Sequence, residues 1–318
     1  MFESSDFNDP ALAAEPFHRA PDQQHIEDHR QQRRGRIAAA FGKGDDAGAR
    51  LQAVLFGIGL AGQQQAADLD AGTGAAGNGA PARDYLAKRG ISEATRKAFG
   101  FGLAPDSRTQ LKEALKKFPT AMLVESGMLI SVDDKDPYDR FRGRLMIPIK
   151  DARGRVIAFG GRILDAGEPK YLNSPETPLF SKGNTLYGLF EARQAIRDKG
   201  YVIVCEGYMD VVALAQLGFA NGVATLGTAC TANHVRALMR QTDRIIFSFD
   251  GDAAGQRAAK RALEACLPMM ADDKEIKFLF LPTEHDPDSF VRERGAPAFE
   301  EAIRKISEDI LLETVSGW

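Results

Sequence analysis

The chain has 318 residues, with 44% hydrophobic and 27% charged residues, which argues against wholesale disorder, collagen or a coiled coil and predicts about two domains. No apolar run reaches the ~18 residues of a membrane span, the N-terminus is acidic rather than signal-like, and the three cysteines form no CxxC pair. We therefore expect a cytoplasmic protein without disulfides, zinc or a membrane partner.

The net charge of −3 divides into −4 for residues 1–80, +7 for 81–200 and −6 for 201–318. On charge alone, two solvated faces of opposite sign are favoured over a phosphate-binding region beside a carboxylate-rich one.

Residues 1–80 have the composition of a flexible segment rather than of a domain. Alanine, glycine and glutamine supply 17, 11 and 8 of them, and the stretch at 71–80 has the composition of a linker. A short helix is possible at 23–40. We expect the rest to be flexible, and because this segment contains no cysteine we expect no zinc ribbon in it.

Two patterns in the same segment mimic functional motifs. Residues 57–62 fit the GxGxxG pattern of dinucleotide-binding proteins, but a glycine-rich linker replaces the strand and acidic residue expected about 20 positions on. His25 and His29 stand in HIEDH, which is neither of the zinc-protease patterns HExxH and HxxEH. A solvated helix face is the better interpretation of the histidines, and dinucleotide binding is not predicted.

Helices are predicted from Pro81 onward. The spacing of apolar residues indicates two helices before Gly100, the second beginning at Ser92 and ending at Gly100. Thr109–Lys117 has the pattern of a further amphipathic helix. This part of the chain is therefore expected to be folded.

Strands are predicted from Arg142, where the hydrophobic period changes. RGRLMIPI and VIAFGGRIL indicate two strands joined by a turn at Gly154, and a helix is expected at Phe190–Lys199. Between residues 201 and 281, short apolar runs (YVIVC, NGVAT, RIIFSF and EIKFLF) alternate with helical segments. This alternation predicts parallel β-α-β units buried on both faces, and so an α/β fold.

Carboxylates follow two of these predicted strands. Glu206 ends the first run, and Asp250 and Asp252 end the third. Ligands of open α/β sheets bind beyond the carboxyl ends of the strands, so these side chains are expected at one sheet edge. Three carboxylates there would repel one another unless a cation lay among them, and Mg²⁺ prefers such oxygen ligands. We therefore predict a divalent-metal site rather than exposed acids without a function.

Three segments of the second half, CEGYMDVVAL, VATLGTACTANH and FSFDGDAAGQRAA, resemble the TOPRIM domain of bacterial primases, topoisomerases and some nucleases. RFRGRLMIPIKDARGRVIAFGGRIL, PKYLNSPETPLFSKGNTLYGL and FLPTEHDPDSFVRERG resemble more specifically the catalytic core of bacterial DnaG-type primases. The resemblance spans about residues 81–302. It implies an α+β basic lobe at 81–200, a Rossmann-like TOPRIM lobe with a mainly parallel sheet at 201–290, and the start of a helical region at 291–318.

The resemblance also assigns roles to individual residues. It implies that Glu206 is a metal ligand or general acid/base, and that Asp250 and Asp252 are metal ligands. Further acidic residues that match the family's metal site are Asp210, Asp286 and Asp288. Residues that match its basic ridge for template and nucleotide are Arg140, Arg142, Lys170, Tyr171, Asn173 and Lys182. His234, at the start of a predicted helix, is interpreted as positioning that helix rather than as catalytic.

A primase of this kind would synthesise short RNA primers on single-stranded DNA from nucleoside triphosphates during replication, using two Mg²⁺ or Mn²⁺ ions. The net charge of +7 on residues 81–200 is consistent with binding of the phosphates of a single-stranded template. The family's usual zinc ribbon and helicase-binding domain are not found in this sequence. Efficient, site-selective initiation and docking on the replicative helicase of the primosome, both expected for the family, are therefore left open for this chain. Two alternatives remain open: another TOPRIM enzyme, such as a nuclease or topoisomerase, and a truncated, non-catalytic protein that binds single-stranded DNA.

Overall fold

The computed structural model of the chain describes residues 79–132 and 135–306. The flexible segment, short helix, glycine pattern and histidine pair predicted before residue 79 lie outside these ranges. The helical region predicted at 291–318 is described as far as residue 306. Within the described ranges, no helix is both long enough and apolar enough to cross a bilayer.

Two short helices, α1 (Ala80–Lys88) and α2 (Glu93–Phe99), open the described chain. The Ser92 side chain caps α2 by accepting a hydrogen bond from the backbone N–H of Thr95 at 3.2 Å. Gly100 ends α2 in the left-handed conformation, with a φ of 68°. The two helices predicted before Gly100 are therefore confirmed.

The helix predicted at Thr109–Lys117 is shorter in the structure, where α3 covers Gln110–Ala114 and turns follow. Pro119 disfavours helical backbone at Phe118, so a helix in this segment has to end before that residue. The amino end of α3 is capped from a distant part of the chain, because the Asp139 carboxylate accepts two backbone N–H groups of its first turn at 2.7 and 3.0 Å.

The rest of the N-terminal part (residues 79–200) is built on antiparallel strands. Its strands are β1 (Gly102–Ala104), β2 (Leu129–Val132), β3 (Lys135–Asp139), β4 (Arg144–Lys150), β5 (Val156–Ile163) and β6 (Tyr171–Asn173). Helix α4 (Thr120–Glu125) lies between β1 and β2 in the chain. One sheet has the order β1-β4-β5-β6, and β2 pairs with β3. Gly154 takes a positive φ of 79° in the turn between β4 and β5, which confirms the predicted strand pair.

The C-terminal part (residues 201–306) is built on parallel strands. Helix α5 (Leu189–Lys199) leads into β7 (Val202–Cys205), α6 (Tyr208–Gln216), β8 (Gly222–Ala224), α7 (Ala232–Met239), β9 (Arg244–Phe249), α8 (Ala253–Cys266), a 3₁₀ turn (Leu267–Met269), β10 (Glu275–Phe280), α9 (Pro287–Arg294) and α10 (Ala296–Arg304). The strand order is β10-β9-β7-β8, parallel throughout. The inner strands are almost wholly buried, as expected for a sheet covered on both faces, and the predicted α/β class is confirmed.

Side chains from both parts meet in one apolar cluster. Phe101 and Ile147 of the N-terminal part are buried together with Tyr208 and Val212 of α6. The Tyr208 hydroxyl also donates a hydrogen bond of 2.7 Å to Oδ1 of Asn173, at the end of β6. This packing places β6 beside the amino end of α6, directly after the strand that leads to Glu206.

Candidate active site

The carboxyl ends of β7, β9 and β10 lie side by side at one edge of the parallel sheet. Glu206 follows β7, Asp250 and Asp252 follow β9, and Asp286 lies beyond β10 at the start of α9. We call these four residues the acidic edge. Because β9 lies between β7 and β10, Asp250 stands in its middle. The structure thus brings together the three carboxylates that the strand pattern places at one edge.

Two glycines allow close packing of the backbone at the acidic edge. A Cβ atom at Gly255, in the first turn of α8, would lie 2.0 Å from the carbonyl oxygen of Asp250. One at Gly251 would lie 2.1 Å from the carbonyl oxygen of Leu281. Because such short approaches are sterically forbidden, both positions need glycine. The segment DGDAAG therefore fixes Asp250 and Asp252 against the start of α8.

Helix amino ends orient two of the four carboxylates. Oδ1 of Asp252 accepts the backbone N–H groups of Ala254 and Gly255, both at 2.8 Å, and so caps α8. Oδ1 of Asp286 accepts the backbone N–H of Ser289 at 2.6 Å and caps α9. These hydrogen bonds fix the orientation of each carboxylate through one oxygen, and its second oxygen can bind a cation.

Burial and neighbouring charges raise the pKa values of two carboxylates of the acidic edge. The pKa of Glu206 is raised by desolvation and then by the charges of Asp250 and Asp252. The pKa of Asp250 is raised by desolvation and then by Asp286 and Asp252. The carboxylates therefore repel one another along the edge, and a divalent cation would relieve that repulsion.

Asp210 joins two loops behind the acidic edge. Its Oδ2 accepts the backbone N–H of Gly207 at 3.1 Å, and its Oδ1 accepts that of Asp288 at 3.3 Å. Burial raises the pKa of Asp210 to about 8, with Asp286 as the largest charge contribution. Asp210 thus holds the loop after β7 to the start of α9, and its assignment to a metal stays a prediction.

Asp288 is buried against two arginines. Only 1% of its surface is exposed, and its carboxylate contacts the guanidinium groups of Arg89 and Arg292. The sequence does not single out Arg89, because a basic residue at the end of a helix is already explained by the helix dipole. The contact became visible only in the folded chain.

The donors of the acidic edge are compatible with a divalent ion. Between residues 79–132 and 135–306, no group of three or more His, Cys, Asp or Glu side chains has the arrangement of a formed metal site. Carboxylate oxygens are nevertheless the ligands that Mg²⁺ and Mn²⁺ prefer. The raised pKa values of Glu206 and Asp250 are of the kind that a bound cation reverses. The assignment of the six acidic residues to a metal stays a prediction.

Three of the basic residues suggested by the resemblance lie in connections between strands of the N-terminal part. Arg142 donates from Nη1 to the carbonyl oxygen of Asp139 at 2.7 Å, and its guanidinium lies 5.2 Å from the centroid of the Tyr138 ring. Arg140 is half-buried beside it, whereas Lys170 is exposed before β6. Arg142 therefore offers a cation beside an aromatic ring.

Tyr171 and Asn173 on β6 face the C-terminal part. The ring centroid of Tyr171 lies 6.0 Å from that of Tyr208. The Asn173 side chain accepts the Tyr208 hydroxyl at 2.7 Å and donates to the carbonyl oxygen of Leu226 at 3.2 Å. Asn173 is therefore used to join the two parts of the chain, and its predicted contact with a nucleotide stays a prediction.

The backbone around Lys182 is tied to the start of α7. His234 accepts the backbone N–H of Thr231 at Nδ1 (3.2 Å), which leaves Nε2 to donate to the carbonyl oxygen of Lys182 at 2.8 Å. The Thr231 hydroxyl donates to the carbonyl oxygen of Gly183 at 2.7 Å. Thr231 is the N-cap of α7 and His234 completes the capping box, which agrees with the interpretation that His234 positions this helix. It also holds the Lys182 loop, a role that no local pattern indicates.

Comparison with known proteins identifies the family. Residues 74–193 match the family described as DNA primase catalytic core, N-terminal domain, and residues 203–291 match a Toprim-like family. The solved DnaG primase catalytic domain bound to single-stranded DNA is 44% identical, with a TM-score of 0.74 over 80% of this chain and 78% of that one. The Escherichia coli primase catalytic core is 43% identical, with a TM-score of 0.76 over 83% of both chains. This chain belongs to the DnaG primase family.

Curated members of the DnaG primase family are longer than the matched region. The DNA primase of Neisseria meningitidis serogroup A is 54% identical over 229 residues, which are 72% of this chain and 39% of that protein. The DNA primase of Pseudomonas aeruginosa is 49% identical over 230 residues, which are 71% of this chain and 35% of that protein. The chain therefore spans about two fifths of the length of the curated primases it matches.

Replacing Asp286 by Asn should stabilise the protein at alkaline pH when no divalent ion is present. Asn keeps the cap of α9 but removes the largest charge contribution to the raised pKa values of Asp210 and Asp250. A carboxyl group whose pKa is raised by folding contributes stability below its unfolded pKa and loses that stability as pH rises through its folded pKa. For Asp210 the loss runs from about pH 4 to about pH 8.

Urea unfolding in EDTA measures this effect. We expect the free energy of unfolding of Asp286→Asn to exceed that of the wild type by about 1 kcal/mol at pH 8, and by less at pH 5. Asp272→Asn changes the net charge equally at an exposed position before β10 and serves as the control. The same pH dependence in wild type and Asp286→Asn would contradict this electrostatic account.

Proposed function

We propose that this chain is the catalytic core of a DNA primase and synthesises short RNA primers on single-stranded DNA from nucleoside triphosphates. The observation that carries the proposal is the acidic edge, where carboxylates from the ends of β7, β9 and β10 crowd together in a member of the DnaG primase family. Phosphoryl transfer depends on positioning and charge neutralisation more than on covalent help. A fixed row of carboxylates suits that chemistry because it can hold cations in place.

Glu206, Asp250, Asp252 and Asp286 would hold Mg²⁺ or Mn²⁺, in keeping with the two ions that the resemblance implies. When bound, such ions supply activation of the attacking 3′-hydroxyl and stabilisation of the leaving pyrophosphate. The protein's part is to fix the carboxylates, through the caps of α8 and α9 and the close packing at Gly255. Glu206, with its raised pKa, binds a cation or accepts a proton at its carboxylate.

Template and nucleotides would bind to the N-terminal part. Residues 81–200 carry a net charge of +7 and residues 201–318 one of −6, so phosphates are attracted to the first region and repelled by the second. Arg142 beside the Tyr138 ring combines a cation with an aromatic surface, as single-strand binding sites commonly do. A related DnaG primase catalytic domain was solved with single-stranded DNA, which supports the same partner here.

A primer-synthesis assay tests the proposal. The purified chain is incubated with single-stranded DNA, four nucleoside triphosphates and Mg²⁺ or Mn²⁺, with one nucleotide labelled. We expect short labelled products that alkali destroys and DNase does not. Template binding without any incorporation would favour the non-catalytic alternative, and cleavage of the DNA instead of synthesis would favour a nuclease.

Replacing Arg142 or Lys182 by Ala should weaken single-stranded DNA binding to a similar degree for all template sequences. Each phosphate contact releases counterions, so the loss of one contact should reduce the slope of log K against log salt by about 0.7. Fluorescence anisotropy at several salt concentrations, with mixed and homopolymer templates, measures that slope. Arg304→Ala removes an exposed arginine of α10 as a control. An unchanged slope in both variants would place the template elsewhere.

A further inference from the structure

Asp288 is enclosed between two guanidinium groups. Its Oδ1 accepts a hydrogen bond from Nε of Arg292 at 2.7 Å, and its Oδ2 pairs with Arg89. Arg292 lies one turn further along α9, whereas Arg89 lies at the end of α1 in the N-terminal part. With 1% of the Asp288 surface exposed, this carboxylate forms a buried link between the two parts of the chain.

The turn that carries Arg89 is itself fixed to the C-terminal part. Gln216, at the end of α6, accepts the backbone N–H of Ser92 at 2.6 Å and donates to the carbonyl oxygen of Gly90. The Arg89 guanidinium also lies 5.4 Å from the centroid of the Tyr85 ring. Because Gln216 holds the same turn, Arg89 meets the start of α9 in a fixed position.

These contacts suit an anchor better than a metal ligand. A carboxylate must turn an oxygen toward Mg²⁺ to bind it, and both oxygens of Asp288 are already engaged by cations. The two guanidinium groups would in addition repel a divalent ion brought to that position. No such repulsion acts against a cation at Asp250, because the charges that affect Asp250 most are the carboxylates of Asp286 and Asp252.

We propose that Asp288 and Arg89 are positioning residues that anchor the start of α9, and with it the acidic edge, onto α1. The backbone N–H of Asp288 donates to Asp210 at 3.3 Å, and Asp286 caps the same helix two residues earlier. Fixing Asp288 therefore fixes both the loop after β7 and the loop after β10. The inference rests on the proposed function, because it states which acidic residues act by position rather than by binding a cation.

A paired replacement separates the two roles. Asp288→Leu alone and Arg89→Met alone should each lower Tm by on the order of 5–10 °C and primer synthesis about tenfold. Asp288→Leu leaves Arg89 without its carboxylate, and Arg89→Met leaves the buried Asp288 with Arg292 as its one remaining guanidinium partner of the two. The double variant replaces the pair by apolar side chains, an exchange that is often neutral or stabilising. Arg292 is 40% exposed and can turn to solvent. We expect the double variant to regain Tm to within about 3 °C and primer synthesis to within about threefold of the wild type.

Mn²⁺ binding, measured by the electron paramagnetic resonance signal of the free ion, supplies a readout besides activity. Asp250→Asn should weaken Mn²⁺ binding about tenfold or more, whereas the double variant should change it less than about twofold. A double variant that recovers Tm but neither Mn²⁺ binding nor synthesis would show that the Asp288 carboxylate is itself a ligand, and would overturn the inference. So would a double variant whose loss of Tm is the sum of the two single losses.

These readouts also separate failure of this inference from failure of the proposed function. If the wild type makes no primers, the proposed function is wrong, while Tm and Mn²⁺ binding still decide whether Asp288 is an anchor. If the wild type makes primers and the double variant does not recover, only the inference is wrong. Arg89→Lys keeps the positive charge and should retain more of the Tm than Arg89→Met, as expected if the charge provides the anchor.

Discussion

Replacing Glu206 by Gln, Asp250 by Asn or Asp252 by Asn should each lower nucleotide incorporation by a factor on the order of 10²–10³ or more, while the protein stays folded. Each change removes one charge of the acidic edge and keeps the shape of the side chain. Because the raised pKa values of Glu206 and Asp250 reflect repulsion as well as desolvation, stability without metal should stay equal or rise. Asn also preserves the cap that Asp252 gives α8.

Incorporation of labelled nucleotides at saturating template, together with thermal melting in EDTA, measures both parts of this expectation. Asp272→Asn, at an exposed position, is the control with the same change in net charge and should keep full activity. More than about a tenth of wild-type activity in any one variant would remove that residue from the catalytic set. A variant that loses activity together with its melting transition would show a structural role instead.

Features with local causes are those that the sequence predicts well. Ser92 and Gly100 bound α2 because a hydroxyl can cap a helix start and glycine can adopt a positive φ at its end. The shared edge of Glu206 and Asp250 follows from strand direction alone, since parallel strands all end on the same side of a sheet. Neither inference needs knowledge of a distant contact.

Partners from distant segments account for what the sequence does not predict. Asp139 caps α3 from 28 residues further along the chain, and Asp288 forms an ion pair with Arg89, from which it is separated by 199 residues. The resemblance implies that Asn173 contacts template or nucleotide, yet both ends of its amide form hydrogen bonds to the C-terminal part. A pattern shows which groups could bind a ligand, but only the folded chain shows which of their donors and acceptors are already used.

Replacing Gly255 by Ala should disrupt the acidic edge although alanine favours helices. In an ordinary helix this change would stabilise the protein by about 1 kcal/mol. Here the new Cβ atom would lie 2.0 Å from the carbonyl oxygen of Asp250 and 2.9 Å from its carbonyl carbon, and backbone atoms cannot rotate away. Because either α8 or the end of β9 must shift, we expect a loss of about 3 kcal/mol or more in the free energy of unfolding.

The same shift should lower nucleotide incorporation about 10²-fold at temperatures where the variant is still folded, because a catalytic group displaced by about 1 Å loses that much rate. Gly222→Ala is the matched control: it is buried in β8, and its Cβ atom would meet the nearest neighbour, the carbonyl oxygen of Phe219, at an ordinary 3.5 Å. Urea unfolding and incorporation are measured on both variants, and the control should lose less than about 1 kcal/mol and remain active. Wild-type stability and activity in Gly255→Ala would mean that α8 can move without displacing Asp250, and that the close packing at Gly255 does not fix the acidic edge.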